Sequence, residues 1–134
     1  MNAYEKMKEN SIQSMSQGEL LILLYDELLK DIRKAEFALD DQAYDAFESQ
    51  LDYCQRIVRY LMNTLDMSQP VSNDLRRLYV YLQYDFGRCR AGRSRRREEL
   101  PELEQIVQDL RDGFEGASRS VVDTHMPAQQ RVLV

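Results

Sequence analysis

The sequence predicts an all-α fold: an antiparallel up-down four-helix bundle with an N-terminal cap segment. Four stretches of roughly 20 residues repeat apolar side chains at three- and four-residue intervals, the spacing of one helical face. Short polar connections link them, so successive helices become antiparallel neighbours. No stretch alternates apolar and polar residues as a half-buried strand does. The 134 residues suit one domain. They divide into a cap segment at 1–15, a bundle over 16–123 and a flexible tail over 124–134.

The first helix is expected over 17–39. Ser16 with Glu19 forms a capping-box signature directly before an apolar run. Its stripe is Leu21, Leu24, Leu28, Ile32, Ala35 and Leu39. Asp40 and Asp41 break the pattern, and either suits the N-cap of the next helix. The second helix, over 43–65, carries Tyr44, Phe47, Leu51, Cys54, Val58, Leu61 and Leu65. A turn follows, and Pro70 stops any continuation.

Ser72 suits the N-cap of the third helix, over 72–91, with Leu75, Leu78 or Tyr79, Leu82, Phe86 and Cys89 facing inward. Gly92 is a natural stop. The fourth helix, over 101–122, starts with Pro101, whose missing N–H costs nothing in a first turn. Leu103, Val107, Leu110, Phe114, Ala117 and Val121 form its stripe, and Gly113 and Gly116 weaken it.

Composition narrows the function classes. The chain is 43% apolar and 31% charged, the balance of a globular protein. Residues 1–16 lack the apolar core of a signal peptide, and no run is long enough for a membrane span, so a cytoplasmic protein without membrane insertion is expected. A formal charge of −5 argues against a general nucleic-acid binder. Cys54 and Cys89 fall on apolar stripes and read as reduced core residues. The single histidine, His125, lies in the tail, and neither a zinc spacing nor a Glu-x-x-His pair occurs. Capping and solvation account for Asp40–Asp41 and Glu98–Glu99. No catalytic residue, metal or cofactor is expected.

Three features point to binding. Leu20 to Leu24 is a continuous apolar run, and five successive side chains point nearly all round a helix. One core stripe cannot cover them. Six of the eight tyrosines fall between Tyr44 and Tyr84, several of them rotated off the core stripes. Tyrosine has an apolar body and a polar tip and is enriched at interfaces. The rings suit either the wet edge of a bundle or a partner groove. Ile22, Tyr25, Tyr53, Ile57, Tyr60, Tyr81 and Tyr84 are the partner-binding candidates.

The N-terminal segment carries apolar residues in a polar context. Tyr4, Met7 and Ile12 suit either a frayed end or a removable cover over bare bundle surface. A basic run ends the third helix, where cations favour the helix dipole. Its Arg93, Arg95, Arg96 and Arg97 suit a solvated turn or a docking patch for an acidic partner.

The motifs Asn10-Ser11-Ile12, Ser16-Gln17-Gly18-Glu19-Leu20 and Leu24-Tyr25-Asp26 resemble the start of the flagellar export chaperone family FliS. So do Leu61 with Thr64-Leu65-Asp66-Met67, Leu78-Tyr79 with Tyr81, and Leu110-Arg111-Asp112. The resemblance covers roughly residues 4–114. It implies a cytoplasmic four-helix chaperone for the C-terminal segment of flagellin. That segment, disordered in the monomer, would wrap the bundle as helices, which blocks premature polymerisation and keeps it ready for type III export. The resemblance also implies that an N-terminal segment, here Tyr4 to Ile12, covers part of the groove and moves aside.

Two departures blur this inference. Phe114 stands where the family often has tryptophan, and the connection from Cys89 to Glu99 is arginine-rich where the family has a short link. Flagellar export-gate components and a homodimer stay open as further partners. The rival reading is a structural or regulatory helical subunit, or a paralogue, with a different protein partner.

Overall fold

The computed structural model describes the backbone of residues 15–124 and the side chains of residues 15–116. The cap residues Tyr4, Met7 and Ile12, most of the tail and His125 lie outside the described residues. Within them the fold is all-α: α1 (Gln17–Asp40), α2 (Tyr44–Asn63), α3 (Val71–Gly92) and α4 (Glu99–Thr124), with a 3-10 turn at Arg93–Arg96 before α4.

Ser16 caps α1 as the sequence indicates. Its Oγ accepts the Glu19 N–H at 3.2 Å, and its hydroxyl donates to Glu19 Oε1 at 3.1 Å. The reciprocal half of the box thus runs through the hydroxyl rather than the Ser16 backbone. The α1–α2 link corrects the expected cap. Asp41 closes α1, donating its N–H to the Phe37 carbonyl at 3.0 Å. Gln42 adopts φ 58° to reverse the chain, and the residue before α2 is Ala43, with no side-chain cap. A link this short leaves neither aspartate free to reach the α2 N-terminus.

Ser72 is likewise not an N-cap. Pro70 holds that position, and Ser72 is buried in the first turn of α3. Its hydroxyl donates to the Asp66 carbonyl at 2.5 Å, fastening the α2–α3 loop. Gly92 ends α3 without a left-handed backbone; the following Arg93 has φ 52° instead. The Arg96 side chain packs over Gly92: a Cβ there would lie 2.7 Å from it and would push the arginine aside. Pro101 sits in the first turn of α4, as its missing N–H favours.

One core runs through all four helices. On α3 the inward residue is Tyr79, while Leu78 is 37% exposed. Leu24 and Leu110, expected inside, are only half-buried. Cys54 and Cys89 are buried free thiols, and burial pushes Cys89 up to about 12. Both therefore stay protonated and apolar in character.

Polar bonds fix which helices touch. Gln55 and Gln83 each donate to the other's backbone carbonyl, joining α2 to α3 at 3.4 and 2.8 Å. Arg33 pairs with Glu104 at 2.7 Å and Arg111 with Asp26 at 2.5 Å, joining α1 to α4. Arg111 also pairs with Glu115. The helices pack in the order α3, α2, α1, α4, and the α3–α4 seam is the thinnest of the four.

Candidate partner-binding surface

Helical periodicity divides each helix into two flanks beside its core stripe. On α1, Leu20, Leu24, Glu27 and Asp31 turn toward α2; Ile22, Asp26 and Arg33 lie on the α4 flank. On α2, Gln50, Tyr53, Ile57 and Tyr60 turn toward α1, as does Thr64 just past its end. The expected candidates therefore do not form one surface.

The α1–α2 groove gathers Tyr53, Ile57 and Tyr60. Its upper part is a mostly apolar hollow of about 340 Å³ lined by Met15, Gln17, Leu20, Leu21, Leu24, Tyr60 and Thr64. Tyr60 is 48% exposed and Tyr53 51%. Both residues thus stay half-exposed, Tyr60 beside half-buried leucines and Tyr53 beside Ile57 and charged side chains. Leu20 and Leu24 were not singled out individually from the sequence. Their signal was the unbroken apolar run, in which Leu20 falls outside the expected core stripe and Leu24 at its edge.

Tyr81 lies at the α3–α4 seam. Asp85, Glu102 and Glu99 raise its hydroxyl pKa, placing the ring near the acidic start of α4. Leu78 shares its flank, and Ile106 and Leu110 of α4 are half-buried. Tyr84 points outward, with the Arg88 guanidinium 5.6 Å from its ring centre. Ile22 is half-buried on the flank opposite the tyrosines of α2.

Tyr25 corrects the expectation of a partner-facing ring. It is fully buried, its hydroxyl 2.5 Å from that of Tyr79 and its ring 5.8 Å from Phe114. A tyrosine in the core pattern is indistinguishable by spacing from one at a groove edge; the buried hydroxyl partner decides it.

The arginine run is largely consumed internally. Arg97 grips Asp40 through two bonds at 2.8 and 3.1 Å and Glu36 through a third at 3.1 Å. Arg93 pairs with Glu48 at 3.2 Å and stacks on Tyr44. Arg96 pairs with Glu99 at 2.8 Å. Only Arg95 of the four expected docking residues has no ion pair among the described residues. No helix among them is long and apolar enough to cross a membrane.

A closed core with an apolar hollow on one flank and exposed tyrosines beside it, among the described residues, defines a helical-bundle binding protein. The family model described as flagellar protein FliS matches residues 1–121, and the chain belongs to that family. It is a flagellar secretion chaperone and not an enzyme. The chain is 29% identical over 119 residues to the flagellar secretion chaperone FliS of Bacillus subtilis (strain 168), covering 89% of this chain and 88% of that one. Its fold matches a solved structure described as a flagellar chaperone from bacteria, with a TM-score of 0.73, 22% identity and coverage of 88% and 96% of the two chains.

Proposed function

We propose that this chain binds the C-terminal segment of flagellin in the cytoplasm, blocks its premature polymerisation and keeps it ready for flagellar type III export. The observation that carries the proposal is the groove between α1 and α2, where Tyr60 lies beside Leu20 and Leu24 and Tyr53 and Ile57 continue the wall among charged neighbours. A disordered client loses conformational entropy when it orders, so it needs extended apolar contact. Amphipathic helices laid in grooves supply such contact. Tyr81 and Leu78 at the α3–α4 seam offer a second strip, with Ile22 and Tyr84 as flanking contacts.

Residues 1–15, with Tyr4, Met7 and Ile12, act as a removable cover in this account. Deleting them tightens client binding or promotes self-association. Arg95 is the residue of the basic turn best placed to meet an acidic partner such as an export-gate component, because Arg93, Arg96 and Arg97 are already paired. Self-association into a homodimer through a bare groove competes with the client for the same surface.

Calorimetric titration with the C-terminal segment of flagellin from the same organism tests the proposal. Saturable one-to-one binding with a large negative heat-capacity change supports it. No binding, with residues 1–15 present or removed, transfers the grooves to a different protein partner.

A further inference from the structure

The lower half of the α1–α2 groove differs in chemistry from the apolar hollow above it. A cavity of about 320 Å³ there is walled by Tyr53 and Ile57. Two hydrogen-bond acceptors line it without partners. Asp31 is 5% exposed, and its carboxylate makes no hydrogen bond or ion pair among the described residues. Gln50 Oε1 is buried and unbonded. Buried polar groups are ordinarily satisfied; Gln50 Oε1 is not, and the Asp31 carboxylate keeps only a narrow opening to solvent.

The open acceptors and the apolar walls suit one class of donor. Arg56 lines the cavity but is committed to Asp52 at 2.9 Å, with its guanidinium 5.5 Å from the Tyr53 ring centre. Glu27 and Asp31 share the cavity with Lys34, and Lys30 also acts on Asp31 through space, but neither lysine makes an ion pair with either acid. An aliphatic stem beside Tyr53 and Ile57 with a cationic head at Asp31 satisfies both the walls and the acceptors.

We propose that this cavity is an anchoring subsite for a lysine or arginine side chain of the bound flagellin segment. The subsite rests on the flagellin reading above and adds to it a polar register mark. Apolar grooves alone let an amphipathic helix slide. One cation seated at Asp31 and Gln50 fixes its position and selects against segments without it.

The direct test pairs Asp31→Asn with client variants in which each lysine or arginine is replaced singly by methionine. Affinities come from calorimetry. One client cation is expected to couple to Asp31: each single change weakens binding about tenfold, and the combined change costs little more. Wild-type affinity for D31N, or losses that simply add for every client cation, overturns the subsite while leaving flagellin binding intact. A second arm needs no client. Titration of the free protein with n-butylammonium, followed by the Gln50 side-chain amide resonance, is expected to saturate in wild type and not in D31N. Equal responses in both proteins overturn the subsite. Failure of wild type to bind any flagellin segment sinks the flagellin reading instead and with it the assignment of the cation to flagellin.

Discussion

The hydroxyls of Tyr25 on α1 and Tyr79 on α3 meet 2.5 Å apart, with both residues fully shielded from solvent. Helices α1 and α3 lie diagonally across the bundle, so this bond spans its middle. Each hydroxyl is the other's partner, and removing one strands the other.

Tyr25→Phe is therefore expected to destabilise by about 1–3 kcal/mol, since a buried hydroxyl loses its partner. Tyr79→Phe behaves alike. The double variant recovers part of the loss, because no orphan remains. Urea unfolding of the three variants measures the coupling; strictly additive losses contradict it.

Burial raises the pKa of both tyrosines above the ordinary value of about 10. A group held protonated in the native state stabilises fully below its unfolded pKa. That contribution falls as pH rises past about 10. Wild type is expected to lose stability more steeply than Y25F/Y79F above that pH, followed by circular dichroism.

Gly113 and Gly116 lie on exposed positions of α4, and a Cβ at either meets nothing within 4 Å. Replacing each with alanine is expected to raise stability by about 0.5–1 kcal/mol, by removing backbone freedom from the unfolded chain. Thermal melts of the single and double variants check this, and a fall in either contradicts it.

Arg97 ties the end of α1 to the turn before α4, gripping Asp40 with two nitrogens and reaching Glu36. Arg97→Ala is expected to lower the melting temperature, and Arg97→Lys to restore only part, because lysine lacks the planar fork. Arg95→Ala leaves it unchanged. The difference shrinks at high salt, since these groups are partly in water.

Much of the fold was legible because the four stripes are long and regular. Helix α1 begins where Ser16 and Glu19 announce it, and Phe47 through Leu61 fill the predicted α2 stripe. The caps at Asp40, Asp41 and Ser72 were misread because cap geometry depends on how tightly the chain reverses. A left-handed Gln42 and a loop fastened at Asp66 leave no such trace in side-chain type.

The binding surface was legible only in part. Tyr53, Ile57 and Tyr60 emerged from their rotation off the core stripe, and the groove joins them. Tyr25 and the split of the candidates between two flanks depend on which helix lies beside which, and spacing within one helix cannot give that. Asp31 carries no sequence mark either: one aspartate on a charged helix becomes notable only when α2 buries it.

The central claim is that the α1–α2 groove holds the client. A photo-crosslinking residue placed at Tyr60 tests it directly, with one at Asp109 on the outer face of α4 as the comparison. The account predicts irradiation products with the C-terminal segment of flagellin from the Tyr60 position and none from Asp109. Products from Asp109 with none from Tyr60 would contradict it.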